Sequence, residues 1–193
     1  MRVFIRSGYC PIRDIVRRLV FVAGIHGVGK STICHALANL VGAIHLSSGE
    51  LISRTRTTDP KAPSDKRVGD VQKNQDALIT ALEAQQAERI ILDGHFVLLR
   101  TDGQISEVPM TTFTALAPSG VVLLIDAPRA IASRLSMRDG KRYSQRELAE
   151  LQERERAAAV NVTISLDIPL HCATPADDET LMQTVQAWFR KVV

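Results

Sequence analysis

The stretch GIHGVGKS, residues 24–31, constrains this chain more than any other. It follows the apolar run Leu19-Val20-Phe21-Val22-Ala23 and opens a helical pattern over 30–41. Gly24, Gly29, Lys30 and Ser31 meet the spacing G-x-x-x-x-G-K-S. With a strand before and a helix after, the stretch reads as a phosphate-binding loop. Glycines let successive backbone N–H groups turn inward around an anion, and the helix N-terminus adds partial positive charge. The whole loop, Gly24, Ile25, His26, Gly27, Val28, Gly29, Lys30, Ser31 and Thr32, is expected to bind ATP or GTP. Lys30 would reach the β- and γ-phosphates and the Ser31 hydroxyl would ligate Mg²⁺. His26 sits at a variable position and is read as wall. A glycine-rich turn without a ligand would need neither the lysine nor the serine.

Asp93 ends the apolar strand RIILD at 89–93, where such folds place a second carboxylate that holds the metal through water. The competing reading is an aspartate that caps the next turn. Gly94 behind it lets the backbone approach a substrate closely.

The rest of the chain alternates strand and helix. The strands are 19–23, 43–46, 89–93, 121–126 and 169–173, the last containing a proline. Helices fit 30–41, 49–56 behind a Ser48 cap, 66–87, 128–138 behind Pro128, 144–160 behind Ser144, and 180–192. Phe96–Leu99 and Ile105–Val108 flank Thr101-Asp102-Gly103-Gln104, a small hairpin. Near-continuous apolar strands between helices imply one α/β domain with a parallel sheet covered on both faces.

With 193 residues and 45% apolar content the chain can bury one good core. A net charge of +3 gives no argument for nucleic acid. Cys10, Cys34 and Cys172 form no C-x-x-C pair, which suggests a reducing, cytoplasmic setting. No apolar run is long enough to span a bilayer. Residues 1–18 carry five arginines against one acid and read as a basic N-terminal extension ahead of a domain at 19–193. A transit peptide is the other reading of that leader, disfavoured because Cys10-Pro11 breaks an amphipathic helix. Residues 55–67 read as a polar loop.

In order, the strand and loop, then LSSGELI at 46–52, DGH at 93–95 and a late arginine cluster resemble the nucleoside monophosphate kinases, most closely the archaeal-type adenylate kinases. LSSGELI resembles the family's I-S-T-G-D-L-L. DGHF resembles its D-G-F and D-T-H variants. Residues 103–134 resemble its hairpin, proline and fourth-strand region, and Gln152, Arg156, Ala157 and Ala158 resemble its Q-x-x-x-R-A-A helix. The resemblance implies a P-loop kinase fold of five parallel strands, a hairpin insertion, an acceptor region at about 47–87 and a short lid at about 138–146. It implies transfer of phosphate from ATP·Mg²⁺ to a nucleoside monophosphate, AMP first, with small-molecule nucleotides as partners, no membrane and no nucleic acid indicated. Oligomeric state is left open.

By that resemblance Lys30, Arg134, Arg138, Arg142 and Arg156 are catalytic, since transfer between two anions needs positioning and neutralisation by permanently charged groups. Ser48, Gly49, Arg54, Gly94, His95 and Gln152 would bind the acceptor. Ser31 holds the metal, with Asp93 acting through water. The loop 171–176 would border the adenine. The chain departs from the family at Ser53, which stands where an arginine is common, and after His95, where Phe96-Val97-Leu98-Leu99 follow. His95 or Arg100 is left as a substitute. Two alternatives remain: a P-loop kinase with another small acceptor, for which Asp93 or Glu50 would be the base, and a slow ATPase or regulatory module acting with a partner.

Overall fold

The computed structural model describes residues 17–57, 71–99, 104–176 and 178–190. The central strand, β1 (Arg18–Ala23), is Val- and Leu-rich and buried from its second residue on. It pairs in parallel with β3 (Arg89–Asp93) on one side and β6 (Gly120–Leu124) on the other. β2 (Ile44–Ser47) extends the sheet beyond β3, and β7 (Leu170–Ala173) extends it beyond β6. The order is β2-β3-β1-β6-β7, all parallel. The chain thus passes from β1 through α1 (Lys30–Val41) to the sheet edge, and β3 returns between them. This leaves a crevice at the carboxyl end of β1, where such sheets bind ligands.

Alternation along β1 divides the core. Val20 and Val22 face a cluster with Ile33 and Leu37 of α1, Ile131 of α5 (Pro128–Asp139), and Leu181 and Val185 of α7 (Asp178–Arg190). Leu19, Phe21 and Ala23 face the opposite cluster. There they meet Leu51 of α2 (Ser48–Thr57), Leu78 of α3 (Val71–Glu83), Phe113 of α4 (Met110–Leu116) and Ala158 of α6 (Gln145–Leu166). A strand buried on both faces explains its unbroken apolar run. The small antiparallel pair β4 (Val97–Leu99) and β5 (Ile105–Glu107) stands where the hairpin is expected.

Several boundaries differ from the sequence reading. Ser48 is the first residue of α2 rather than its cap, because its hydroxyl donates to the Asp93 carbonyl at 2.7 Å. The helix over 66–87 is α3 at 71–83, and residues 66–70 lie outside the described residues. The helix behind Ser144 runs to Leu166, six residues past its expected end, with the Ser144 hydroxyl accepting from the Glu147 N–H as a cap. Helix α4, within 103–134, has no counterpart among the helices read from the sequence. Of the basic leader only Arg17 and Arg18 are described. Their guanidinium groups donate to the Gln85 and Phe189 carbonyls and so fasten the start of β1 to the domain. Residues 1–16, residues 58–67 of the expected loop and the hairpin turn at 101–103 lie outside the described residues, and residues 55–57, read as the start of that loop, form the end of α2.

Candidate nucleotide and acceptor site

The glycine loop takes the shape its spacing demands. Gly24, Gly27 and Gly29 all have positive φ. At Gly24 a side chain is excluded as well, since a Cβ would come 2.6 Å from the Leu124 carbonyl oxygen. Lys30 at the head of α1 turns its ammonium back into the loop, donating to the Gly24 carbonyl at 2.6 Å and the Ile25 carbonyl at 3.3 Å. It also lies 3.4 Å from His95 Nε2. Burial lowers the Lys30 pKa, while the charges of Glu155 and Asp93 act against that shift. The lysine is therefore a partly desolvated cation held at the loop's mouth.

Two histidines accompany it. The His26 and His95 rings lie 4.4 Å apart. Desolvation and then the Lys30 charge depress both pKa values, His95 strongly, so both rings are neutral at pH 7. Asp93, at the end of β3, accepts from His45 Nε2 at 2.7 Å. Cys34 lies near this pair, with one ligand atom from each of the three within 4.8 Å of the others. Burial pushes the Cys34 thiol up, so with no cation bound beside it the thiol stays protonated at neutral pH. At Gly94 a Cβ would lie 2.8 Å from the Phe21 ring and 2.9 Å from the Ser48 hydroxyl, so glycine is required for the chain to pass there as it leaves β3.

A cavity of about 530 Å³ runs from this loop across Asp93 to an apolar end. Lys30, Ser31, Asp93, Arg134 and Arg138 line it, as do Ser48, Gly49, Gly94 and His95 from the expected acceptor set. Arg134 is anchored: its Nε donates to the Gly27 carbonyl at 2.7 Å and its Nη2 to Asp126 at 2.6 Å. Gln152 exchanges hydrogen bonds with the backbone of Asp126, at 3.0 and 3.1 Å. Gln152 thus supports the arginine that supports the loop and does not itself line the cavity. Arg138 grips Asp139 with both Nε and Nη2, which holds the Asp139 carboxyl well below the usual range.

Of the expected ATP-binding loop, Ile25 and Val28 turn their side chains into the buried core instead of the cavity, and besides Gln152 three more expected residues stand elsewhere. Arg156 is exposed and 3.9 Å from Glu153 on the outer face of α6, because the inner face at that turn belongs to its neighbour Glu155. Arg142 is exposed beyond the end of α5 and does not line the cavity. Arg54 extends toward solvent at 78% side-chain exposure, 3.7 Å from Glu50 one turn earlier. Arg100 lies outside the described residues. The 171–176 loop reaches the glycine loop through Pro175, whose Cγ is 3.6 Å from the Cβ position of Gly29.

The residue that sequence reasoning passed over is Glu155. It is fully buried, and its carboxylate accepts from the N–H groups of Gly24 (3.1 Å), Phe96 (3.0 Å) and Val97 (2.8 Å). One side chain of α6 therefore ties the first residue of the phosphate loop to the segment behind Asp93. Burial raises its pKa, and the three N–H groups pull it back toward the ionised form. In the string ERER it looks like solvated surface. Helical spacing places it with Leu148, Leu151, Ala158 and Val162 on the inward face, and that spacing was the available signal.

A family model described as an AAA domain matches residues 23–153, from the end of β1 to the first half of α6. The chain belongs to the AAA domain family. No curated protein matches it. Among solved structures, this AAA-domain chain is similar to a shikimate kinase from Acinetobacter baumannii in complex with shikimate, with a TM-score of 0.59 at 16% identity over 90% of this chain and 93% of that one. It is also similar to a gluconokinase from Sinorhizobium meliloti, with a TM-score of 0.52 at 15% identity over 91% of this chain and 93% of that one. These likenesses establish an α/β P-loop kinase fold with a five-stranded parallel sheet. The narrower likeness to archaeal-type adenylate kinases finds no support in them. Among the described residues no helix is long and apolar enough to cross a membrane.

Proposed function

We propose that this AAA domain transfers the γ-phosphoryl group of ATP to a hydroxyl of a small molecule. The observation that carries this reading is that Lys30, Arg134 and Arg138 line one cavity together with Ser31, Asp93 and the apolar side chains Leu78, Phe113 and Leu116. Phosphoryl transfer asks little covalent chemistry of a protein; it asks for two reactants in line and for charge to be offset as it moves. Ser31 offers a hard oxygen donor that Mg²⁺ prefers and would hold the metal, with Asp93 of the same cavity acting through water, so the carboxylate is left able to take a proton; the metal would offset triphosphate charge. Lys30 and the anchored Arg134 act on the β- and γ-phosphates.

The acceptor oxygen bonds to the γ-phosphorus as the bond from that phosphorus to the ADP oxygen breaks. The hydroxyl proton passes to the Asp93 carboxylate, which His45 orients. A monophosphate acceptor, the expectation from the resemblance, would bring a second anion into the cavity. Arg54, the cation expected to receive it, points to solvent instead.

The test is Lys30→Ala, followed by calorimetric titration with ATP·Mg²⁺ and by ADP formation. Lys30 faces the site rather than the core, so the variant keeps its melting temperature and loses turnover. Turnover above a few per cent of wild type would contradict the assignment of the loop.

A further inference from the structure

Cys34 has no part in the reaction argued above, yet it stands against the base and the histidine that orients it. It lies on the inner face of α1, one turn after Lys30, while His45 of β2 and Asp93 of β3 reach toward it from the sheet. The pairing of β2 with β3 sets Ser47 beside Asp93 and His45 beside Ile91. By two-residue alternation His45, Ile91 and Asp93 therefore share the face that α1 covers. Cys34 Sγ, a ring nitrogen of His45 and a carboxylate oxygen of Asp93 all lie within 4.8 Å of one another. The thiol is fully buried, and the His45 and Asp93 side chains are each 12% exposed.

A thiolate, an imidazole and a carboxylate are the donors that zinc takes, and tetrahedral bonds of its usual lengths set donor atoms about 3.3–3.6 Å apart. His45 Nε2 and Asp93 Oδ2 are 2.7 Å apart, so movements of about 1 Å or less at each side chain would seat the ion. The ion lies among the donor atoms themselves and needs no separate chamber. Asp93 lines the nucleotide cavity, which gives the ion its way in and a water its place as fourth ligand. Charge agrees with this assignment. Burial, and after it the Asp93 charge, holds the thiol protonated, and a divalent cation between the two groups reverses both effects. Thiolate and carboxylate then cancel the charge of the ion beneath α1. Sulfur and imidazole select zinc over magnesium, which prefers six oxygens.

We propose that Cys34, His45 and Asp93 form a site for one Zn²⁺ ion, and that zinc held there shuts off phosphoryl transfer. On binding, the Cys34 thiol gives its proton to water and its sulfur bonds to the ion, while the His45 nitrogen and an Asp93 oxygen each supply a lone pair. A carboxylate whose charge is committed to zinc is a poor base, and it no longer receives the proton of an acceptor hydroxyl. The shut-off rests on the reading of Asp93 as base, whereas the binding of zinc does not.

The test titrates the full chain, reduced and free of chelator, with Co²⁺, which takes the same donors as zinc and is coloured. One equivalent should give the near-ultraviolet thiolate-to-cobalt band and the visible bands of a four-coordinate ion, and Zn²⁺ should then bleach both. Cys34→Ala should lose the near-ultraviolet band and bind Zn²⁺ tenfold or more weakly. Cys34→Ser should lose the band too, so a folding defect in one variant leaves the other to decide. With ATP·Mg²⁺ and a panel of small hydroxyl compounds, one equivalent of Zn²⁺ should lower ADP formation at least tenfold in wild type. In Cys34→Ala it should lower it less than twofold, and turnover without zinc should stay within twofold of wild type. Absence of the near-ultraviolet band, or its survival in both Cys34 variants, overturns the site. The band with turnover unchanged by zinc overturns the shut-off. If no compound yields ADP from ATP·Mg²⁺, the phosphoryl-transfer reading falls, and the cobalt band, which needs no turnover, still decides the site.

Discussion

Replacing Glu155 by glutamine isolates what the buried carboxylate does, because the shape is kept and the charge and one acceptor are removed. In the native protein Oε1 receives the Gly24 and Phe96 N–H groups, and Oε2 receives those of Phe96 and Val97. A glutamine has one oxygen, so in either amide orientation Phe96 stays bonded and one other N–H faces the new NH₂ group. The variant thus buries one orphaned backbone donor and an amide nitrogen without an acceptor. At about 1–3 kcal/mol for an unsatisfied group, and with charge-assisted bonds weakened to neutral ones, the loss is about 2–4 kcal/mol. Relief of the buried charge offsets part of this, which places the expected value in the lower half of that range.

If the orphan is the Gly24 N–H, the first residue of the phosphate loop loses its tether and ATP binding weakens. A loss of about 1.4 kcal/mol at that step would be tenfold in affinity. The assays are urea unfolding of both proteins at pH 7 and calorimetric titration of each with ATP·Mg²⁺. A change in unfolding free energy below about 0.5 kcal/mol, the ordinary size for a surface substitution, would refute the claim that this carboxylate clamps two loops.

Two further outcomes follow from the geometry. Arg134→Ala should slow turnover by about tenfold or more, as removal of a charge clamp does, whereas Arg156→Ala, on the outer face beside Glu153, should stay within about twofold in a steady-state assay. The buried His95 ring has a pKa depressed well below 6.5, so the unfolded chain takes up a proton there before the folded one does as pH falls. Its contribution is present above pH 6.5 and is lost below it, by up to about 1.4 kcal/mol per pH unit for one proton. Thermal unfolding between pH 7 and 5 should therefore show a shallower pH dependence in His95→Asn than in wild type. Equal slopes would show that the ring is not held neutral.

Much of the fold was legible because its signals are local. Gly24, Gly29, Lys30 and Ser31 name the loop through a spacing that few other structures need. The apolar runs at β1, β3 and β6 announce strands buried on both faces. The site was legible only where backbone chemistry fixes the residue type. Glu155 escaped notice because its partners, Gly24 and Phe96, are 131 and 59 residues away, and a glutamate among arginines looks like surface. Arg156 drew attention for the complementary reason: charge suggests function, yet a single step along a helix turns a side chain about 100° away from the core. Helix α4 was missed because MTTFTAL is short and threonine-rich, with weak helix propensity, and packing of Phe113 against Phe21 and Phe96 settles it instead.

The measurement that bears most directly on the account follows the γ-phosphoryl group itself. Wild type and Lys30→Ala are incubated with γ-labelled ATP·Mg²⁺ and a panel of small hydroxyl compounds, beside AMP and an acceptor-free blank. The account predicts label in a phosphomonoester of a hydroxyl compound, formed one-for-one with ADP and absent with Lys30→Ala. Label found only in inorganic phosphate at the rate of the blank, or only in the diphosphate made from AMP, would contradict it.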